Sequence, residues 1–182
     1  MARACAAILE GQWAANLLPP ELKSEFDNLW PHQKQAVAQS LTLLETQGSV
    51  AICDPTGSGK TRTGGWVMRL AYNRIIARGG ENSGSLIPVM VPPSSVANNW
   101  YKMLDKVDCP REIIPMGLLS NSTKESTQRR FELIERTNLL GVDEIHNYYN
   151  DGTKRTKVLT SNLAEYRILM SATPINTGYK DL

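Results

Sequence analysis

Apolar positions along the chain switch between a helical and a strand-like period. Val37, Leu41 and Leu44 recur at helical spacing up to Gly48, after which "SVAIC" (49–53) reads as a short buried strand. Beyond a glycine-rich break, Gly64, Val67, Met68, Ala71 and Ile75 mark one helix face, and polar "RGGENSGS" (78–85) closes it. "LIPVMV" (86–91) predicts the next strand. Val96, Trp100, Met103, Leu104 and Val107 give a second apolar helical stripe, followed by a strand in "EIIPMGLL" (112–119). A polar helix from Ser122 to Arg136 leads into "NLLGV" (138–142), and "YRILM" (166–170) supplies a last strand. Strands alternating with helices predict an α/β domain with a mainly parallel sheet and helices on both faces. No internal repeat is present.

Upstream of this pattern, Pro19 and Pro20 in "LLPPELKSEF" interrupt a short apolar helical stretch and allow a helix to restart at Glu21. The reading is an N-terminal helical extension over 1–25 and one α/β domain over 26–182. A chain of 182 residues with 41% hydrophobic and 21% charged residues has the size and composition of one globular domain with its own core. Lys and Arg number 20 against 18 Asp and Glu, so the net charge of +2 selects no polyanionic partner and any nucleic-acid footprint is local. Cys5, Cys53 and Cys109 fit neither a zinc spacing nor an even disulfide framework, which points to a reducing, intracellular setting. No apolar run reaches the length of a membrane span, and "MARACAAILEGQW" is too briefly apolar for a secretory signal.

The glycine-rich break carries the chemistry. In "CDPTGSGKTRTGG" (53–65), Gly57 and Gly59 let a tight loop turn its N–H groups inward as an anion nest, and Lys60 and Thr61 open a helix whose positive end faces the same anion. Thr56, Gly57, Ser58, Gly59, Lys60 and Thr61 are therefore the candidate nucleotide-phosphate contacts. "LLGVDEIH" offers the remaining parts of a hydrolytic site. An apolar strand delivers Asp143 to the carboxyl edge of the sheet, where open α/β folds bind ligands. There Asp143 and Thr61 suit Mg2+, and Glu144 suits the attacking water. An acidic turn or a glycine turn alone would be commonplace; the strand before each and their order favour a site.

"DPTGSGKT" resembles the nucleotide loop of superfamily 2 helicases and translocases, with Asp54 where the general phosphate-loop pattern has glycine, as in the Swi/Snf branch. "DEIH" resembles that superfamily's DExH motif, and "MSATPIN" resembles the next motif, which couples hydrolysis to nucleic-acid binding and places His146, Ser171, Ala172 and Thr173 in that role. "LWPHQKQAV" is similar to the segment whose glutamine reads adenine, here Gln33, and "VPPSSVANNW" to the first nucleic-acid contact motif, here Ser94 and Ser95 at a helix start. Trp100 in that segment reads as a core residue. The resemblance covers about residues 29–182 and looks closest to Swi/Snf-like ATPases, including related nucleoside triphosphatases of large DNA viruses. It implies the first RecA-like domain of a helicase or DNA translocase, with ATP and Mg2+ as cofactors and nucleic acid as partner, DNA in preference to RNA. A second RecA-like domain, with its arginine fingers, is absent from the 182 residues and is expected in cis or in trans. Two further classes stay open: a nucleotide-dependent interaction module without motor activity, and a small-molecule kinase, against which Gln33, "DEIH" and "SATP" together argue. The interval between "VPPSSVANNW" and "DEIH" is shorter than the family's usual one. Arg62, Arg69, Arg74 and Arg78, and Lys154, Arg155 and Lys157, read as solvated charge runs.

Overall fold

Pro31 and Gly48 bracket the first long helix as their backbones require: Pro31 needs no N–H partner at a helix start, and Gly48 leaves the helix at φ 68°. The computed structural model describes residue 16 and residues 18–79, 87–119, 124–148 and 154–173. In chain order these form α1 (Pro20–Asp27), α2 (Pro31–Gln47), β1 (Ser49–Ile52), α3 (Lys60–Gly79), β2 (Val89–Val91), α4 (Ala97–Lys106) and β3 (Glu112–Ile113). They continue with α5 (Lys124–Arg136), β4 (Leu139–Val142), α6 (Lys154–Ser161) and β5 (Tyr166–Met170). Short 3-10 turns span Ser94–Val96, Met116–Leu119 and Ile145–Tyr148.

The strands lie in the order β1-β5-β4-β2-β3, and every pairing is parallel. Register aligns Val50, Ile168, Gly141, Met90 and Ile113 in one row across the sheet. Four of these five side chains join the core on one face, beneath residues of α1 to α4. The neighbouring rows turn the other way: Val89, Val91, Leu140 and Val142 pack with Ile134 of α5 and Leu159 of α6. The apolar runs of the sequence are thus two alternating sets, each buried by its own helical layer. The α/β, RecA-like architecture is the one expected.

Two expectations are corrected. Only Glu112–Ile113 of "EIIPMGLL" forms a strand. Ile114 and Met116 still donate their N–H groups to the Met90 and Pro92 carbonyls, at 2.9 and 2.8 Å, but the regular strand is over and the chain coils into the Met116–Leu119 turn. Helix α3, read as having one apolar face, is buried at every position from Thr63 to Ala71, because α2, α4 and the sheet all pack on it. Leu18 and Leu22, which fall in the expected extension over 1–25, are buried in the same core as α2 and α3, and Phe26 meets Trp66 edge-on at 5.2 Å. Residues 1–15 and 17 of that extension lie outside the described residues.

The arginines of α3 are tied internally. Arg62 donates to the Asn28 carbonyl, Arg69 pairs with Asp108, and Arg74 and Arg78 pair with Glu45. Cys53 is exposed and Cys109 buried, both as free thiols, and burial pushes the Cys109 thiol up to about 12. Among the described residues no helix is long and apolar enough to cross a membrane.

Candidate active site

Parallel pairing brings the carboxyl ends of β1, β4 and β5 side by side. Asp143 donates its N–H to the Val91 carbonyl at 3.1 Å, and Ser171 donates its N–H to the Ile52 carbonyl at 3.1 Å. The loops that leave these strands carry the residues singled out in the sequence: 54–61 after β1, 143–146 after β4 and 171–173 after β5.

In the first loop Gly57 and Gly59 adopt φ 85° and 86°, a region closed to most side chains. At Gly57 an added Cβ would meet nothing within 4 Å, whereas at Gly59 it would sit 2.4 Å from Gln33 Nε2. Openness at one glycine and close approach at the other define a cradle with a solid back wall. Lys60 Nζ donates to the carbonyls of Asp54 at 2.8 Å and Pro55 at 3.0 Å, so its ammonium is folded over the loop. The Ser58 hydroxyl is buried without a hydrogen-bond partner. The nest, the cation and an unsatisfied hydroxyl suit an incoming phosphate chain.

Gln33, the candidate adenine reader, packs against the phosphate loop. It is 4% exposed; its Oε1 accepts the Trp30 N–H at 3.2 Å, and its Nε2 donates to the Ser58 carbonyl at 3.4 Å. These contacts make Gln33 a brace between the start of α2 and the phosphate loop.

Asp143 lies 7% exposed at the end of β4. Its Oδ2 accepts the Trp100 indole N–H at 2.9 Å, and its Oδ1 accepts the Glu144 N–H at 2.9 Å. Burial raises its pKa above the ordinary 3.8, while the two hydrogen bonds and the charge of Lys60 act the other way. Glu144 is held at φ 52°, where its carbonyl accepts both the backbone N–H of Asn147 at 3.0 Å and its side-chain Nδ2 at 3.1 Å. A positive φ at a residue other than glycine is a strained geometry that the surroundings must enforce. Glu144 Oε2 is buried and makes no hydrogen bond, 3.3 Å from His146 Nδ1. Carboxylate lone pairs therefore remain available at Asp143 for a cation and at Glu144 for a water. Among the described residues no group of three His, Cys, Asp or Glu side chains forms a metal cage, and Mg2+ bound with a nucleotide needs only one or two protein ligands.

The candidate coupling residues meet across the loops. His146 Nδ1 lies 2.9 Å from Ser171 Oγ and 3.5 Å from Thr173 Oγ1, and Ser171 Oγ accepts the Thr173 N–H at 3.1 Å. Ser171 is fully buried. Ala172 lies between them in the chain, and Pro174 onward is outside the described residues.

Ser94 and Ser95 stand exposed in the turn that enters α4, and neither side chain caps that helix. Of the second basic cluster, Lys157 is exposed, and the side chains of Lys154 and Arg155 lie outside the described residues. The roles of Trp100 and Asn147 were missed in the sequence. A signal existed for Trp100, since a buried indole N–H needs an acceptor, but nothing in the sequence named that acceptor.

No protein-family model matches the chain. It is 26% identical over 165 residues to the uncharacterized ATP-dependent helicase YqhH of Bacillus subtilis (strain 168), an alignment that covers 84% of this chain and 28% of that protein. Its fold matches the SWI2/SNF2 ATPase core of Sulfolobus solfataricus, solved in complex with dsDNA, with a TM-score of 0.63 at 20% identity. That match covers 85% of this chain and 34% of the other. The chain thus spans about a third or less of the length of either, 28% and 34%. The chain is thus similar in sequence to an ATP-dependent helicase and in fold to a SWI2/SNF2 ATPase core.

Proposed function

We propose that the chain is the ATP-binding half of a nucleic-acid-dependent ATPase, a helicase or duplex-DNA translocase, which hydrolyses ATP when a second RecA-like domain completes the site. The observation that carries this reading is the 2.9 Å contact between His146 and Ser171, because it links the carboxylate loop to the loop after β5.

The residues divide the work as follows. Backbone N–H groups at Gly57 to Thr61 cradle the phosphates, and Lys60 exchanges its two carbonyl partners for β- and γ-phosphate oxygens. Thr61 and Asp143 would hold Mg2+, which when bound neutralises charge on the β- and γ-phosphates. Glu144 accepts a proton from water as the water oxygen bonds to the γ-phosphorus. The bond from that phosphorus to the β–γ bridging oxygen then breaks, and ADP and phosphate leave. His146, Ser171 and Thr173 relay the change from Glu144 to the β5 loop. Ser94 and Ser95 face a nucleic-acid backbone, and the dsDNA bound to the Sulfolobus core favours duplex DNA as that polymer.

Calorimetric titration with ATP tests the assignment. Lys60→Ala should lower affinity at least tenfold in a folded chain, the scale expected on removing a charged hydrogen bond worth about 1.5–3 kcal/mol. In an assembly competent for hydrolysis, Glu144→Gln should keep Mg-ATP binding and lose turnover. Unchanged affinity in the first variant or unchanged turnover in the second removes the corresponding role.

A further inference from the structure

Trp100 is fully buried and contributes to the core, yet its one polar atom is spent on the candidate metal carboxylate. The indole occupies the first turn of α4, whose neighbour α3 begins at Lys60. Gly64 of α3 is what makes room for it. A Cβ there would lie 2.9 Å from Trp100 Cη2 and 2.5 Å from Met170 Sδ, so the ring has no slack on that side. On the other side of the ring, Nε1 reaches Asp143 Oδ2 at 2.9 Å inside the protein. The carboxylate is then fixed at both oxygens, one by this indole and one by the Glu144 N–H. A carboxylate pinned in this way cannot rotate about its Cβ–Cγ bond without breaking a buried hydrogen bond, and its remaining lone pairs keep one direction.

We propose that Trp100 is a positioning residue for Asp143, which orients that carboxylate toward the cation and so sets the magnesium-dependent part of ATP binding. The inference rests on the reading of Asp143 as the magnesium carboxylate. It differs from a core role in a specific way. A Trp that only fills space affects every property of the fold, whereas a positioning Trp affects the metal increment and leaves the phosphate cradle alone. The cradle depends on Gly57, Gly59 and Lys60, and none of them is hydrogen-bonded to the indole.

The test measures ATP affinity of the 182-residue chain twice, with Mg2+ and with EDTA, and takes the ratio. Trp100→Phe keeps a ring and removes the donor. Should that variant fail to fold, site-specific incorporation of benzothienylalanine at position 100 replaces only the N–H by sulfur. The expected result is affinity in EDTA close to that of the parent, with the Mg2+ ratio reduced by about 10- to 100-fold, the usual effect of removing an outer-shell partner of a metal ligand. The Trp100 indole resonance in a 15N–1H spectrum should also move when Mg2+ is added to the ATP-bound parent chain. An unchanged Mg2+ ratio in either folded variant overturns the proposal, and so does an equal loss with and without Mg2+. Asp143→Ala separates the two readings: if it too leaves the Mg2+ ratio intact, the assignment of Asp143 fails, not the indole contact.

Discussion

Gly59 shows how one missing side chain shapes the candidate site. Its φ of 86° costs an alanine about 1–2 kcal/mol in backbone strain alone. A Cβ would also press to 2.4 Å from the Gln33 amide, and Gln33 has little freedom because it bridges the Trp30 N–H and the Ser58 carbonyl. Gly59→Ala should therefore destabilise the fold by roughly 2–4 kcal/mol, the upper range for a strained backbone with a steric conflict, and displace the loop. Gly57→Ala carries similar strain and no clash, so it should cost about 1–2 kcal/mol. Urea unfolding of the two variants checks the order, and equal losses would show that Gln33 gives way freely. At this scale the sequence was a good guide to identity and a poor one to contacts. Gly57, Gly59, Lys60 and Asp143 were legible as candidates because phosphate nests and terminal carboxylates demand those residue types at those strand ends, whereas His146 came only from the resemblance of "DEIH" to a known motif. That Gln33 turns inward to brace Ser58, and that Trp100 holds Asp143, depends on side-chain directions that no spacing encodes.

At the scale of elements, the sheet's two ends are stabilised differently. The carboxyl end keeps lone pairs open for ligands, whereas the amino end is closed by a polar cluster in which Glu45 of α2 accepts from Tyr166 of β5 and from Arg78 of α3 and pairs with Arg74. Burial by itself would raise the Glu45 pKa, but these hydrogen bonds outweigh it and hold the group below its ordinary 4.5. A depressed carboxyl pKa contributes stability that is present above the unfolded value and is lost as pH falls through the folded one. Glu45→Gln should thus destabilise the chain at pH 7 by roughly 1–3 kcal/mol and flatten its acid-unfolding curve below about pH 4.5. Thermal melts between pH 3 and 7 test both, and parallel pH profiles for parent and variant would exclude Glu45 as the source of the slope. The elements themselves were readable from apolar period in β1, β2, β4 and β5 and in α2 and α4. They failed at β3, where the apolar run continued past the strand into the Met116–Leu119 turn, and in α3, whose burial on all sides hides any single face.

At the scale of the molecule, the described residues form one sheet with one nucleotide edge, and the chain spans 34% of the SWI2/SNF2 core it resembles. The candidate site lies at that edge, on loops that leave the carboxyl ends of β1, β4 and β5. If hydrolysis uses a facing RecA-like domain, that domain supplies both the exclusion of water and the arginine that stabilises transition-state charge, a contribution of about 10³ to 10⁵ in rate. The same domain would carry the other half of the nucleic-acid track, and a protein that neutralises fewer phosphates binds more weakly and with a flatter dependence on salt. The 182 residues assayed alone should therefore bind ATP, hydrolyse it slowly and show little stimulation by duplex DNA, single-stranded DNA or RNA. Supplying a second RecA-like domain in cis should raise the rate and make it depend on nucleic acid, with duplex DNA the most effective polymer. The measurement is steady-state ATP hydrolysis with each polymer at two salt concentrations, on protein shown by light scattering to be monomeric. Glu144→Gln serves as the background, so that a contaminating ATPase is subtracted. Strong stimulation of the isolated monomer would show that the Asp143, Glu144 and His146 cluster completes its own catalytic site, and the half-site reading would be abandoned.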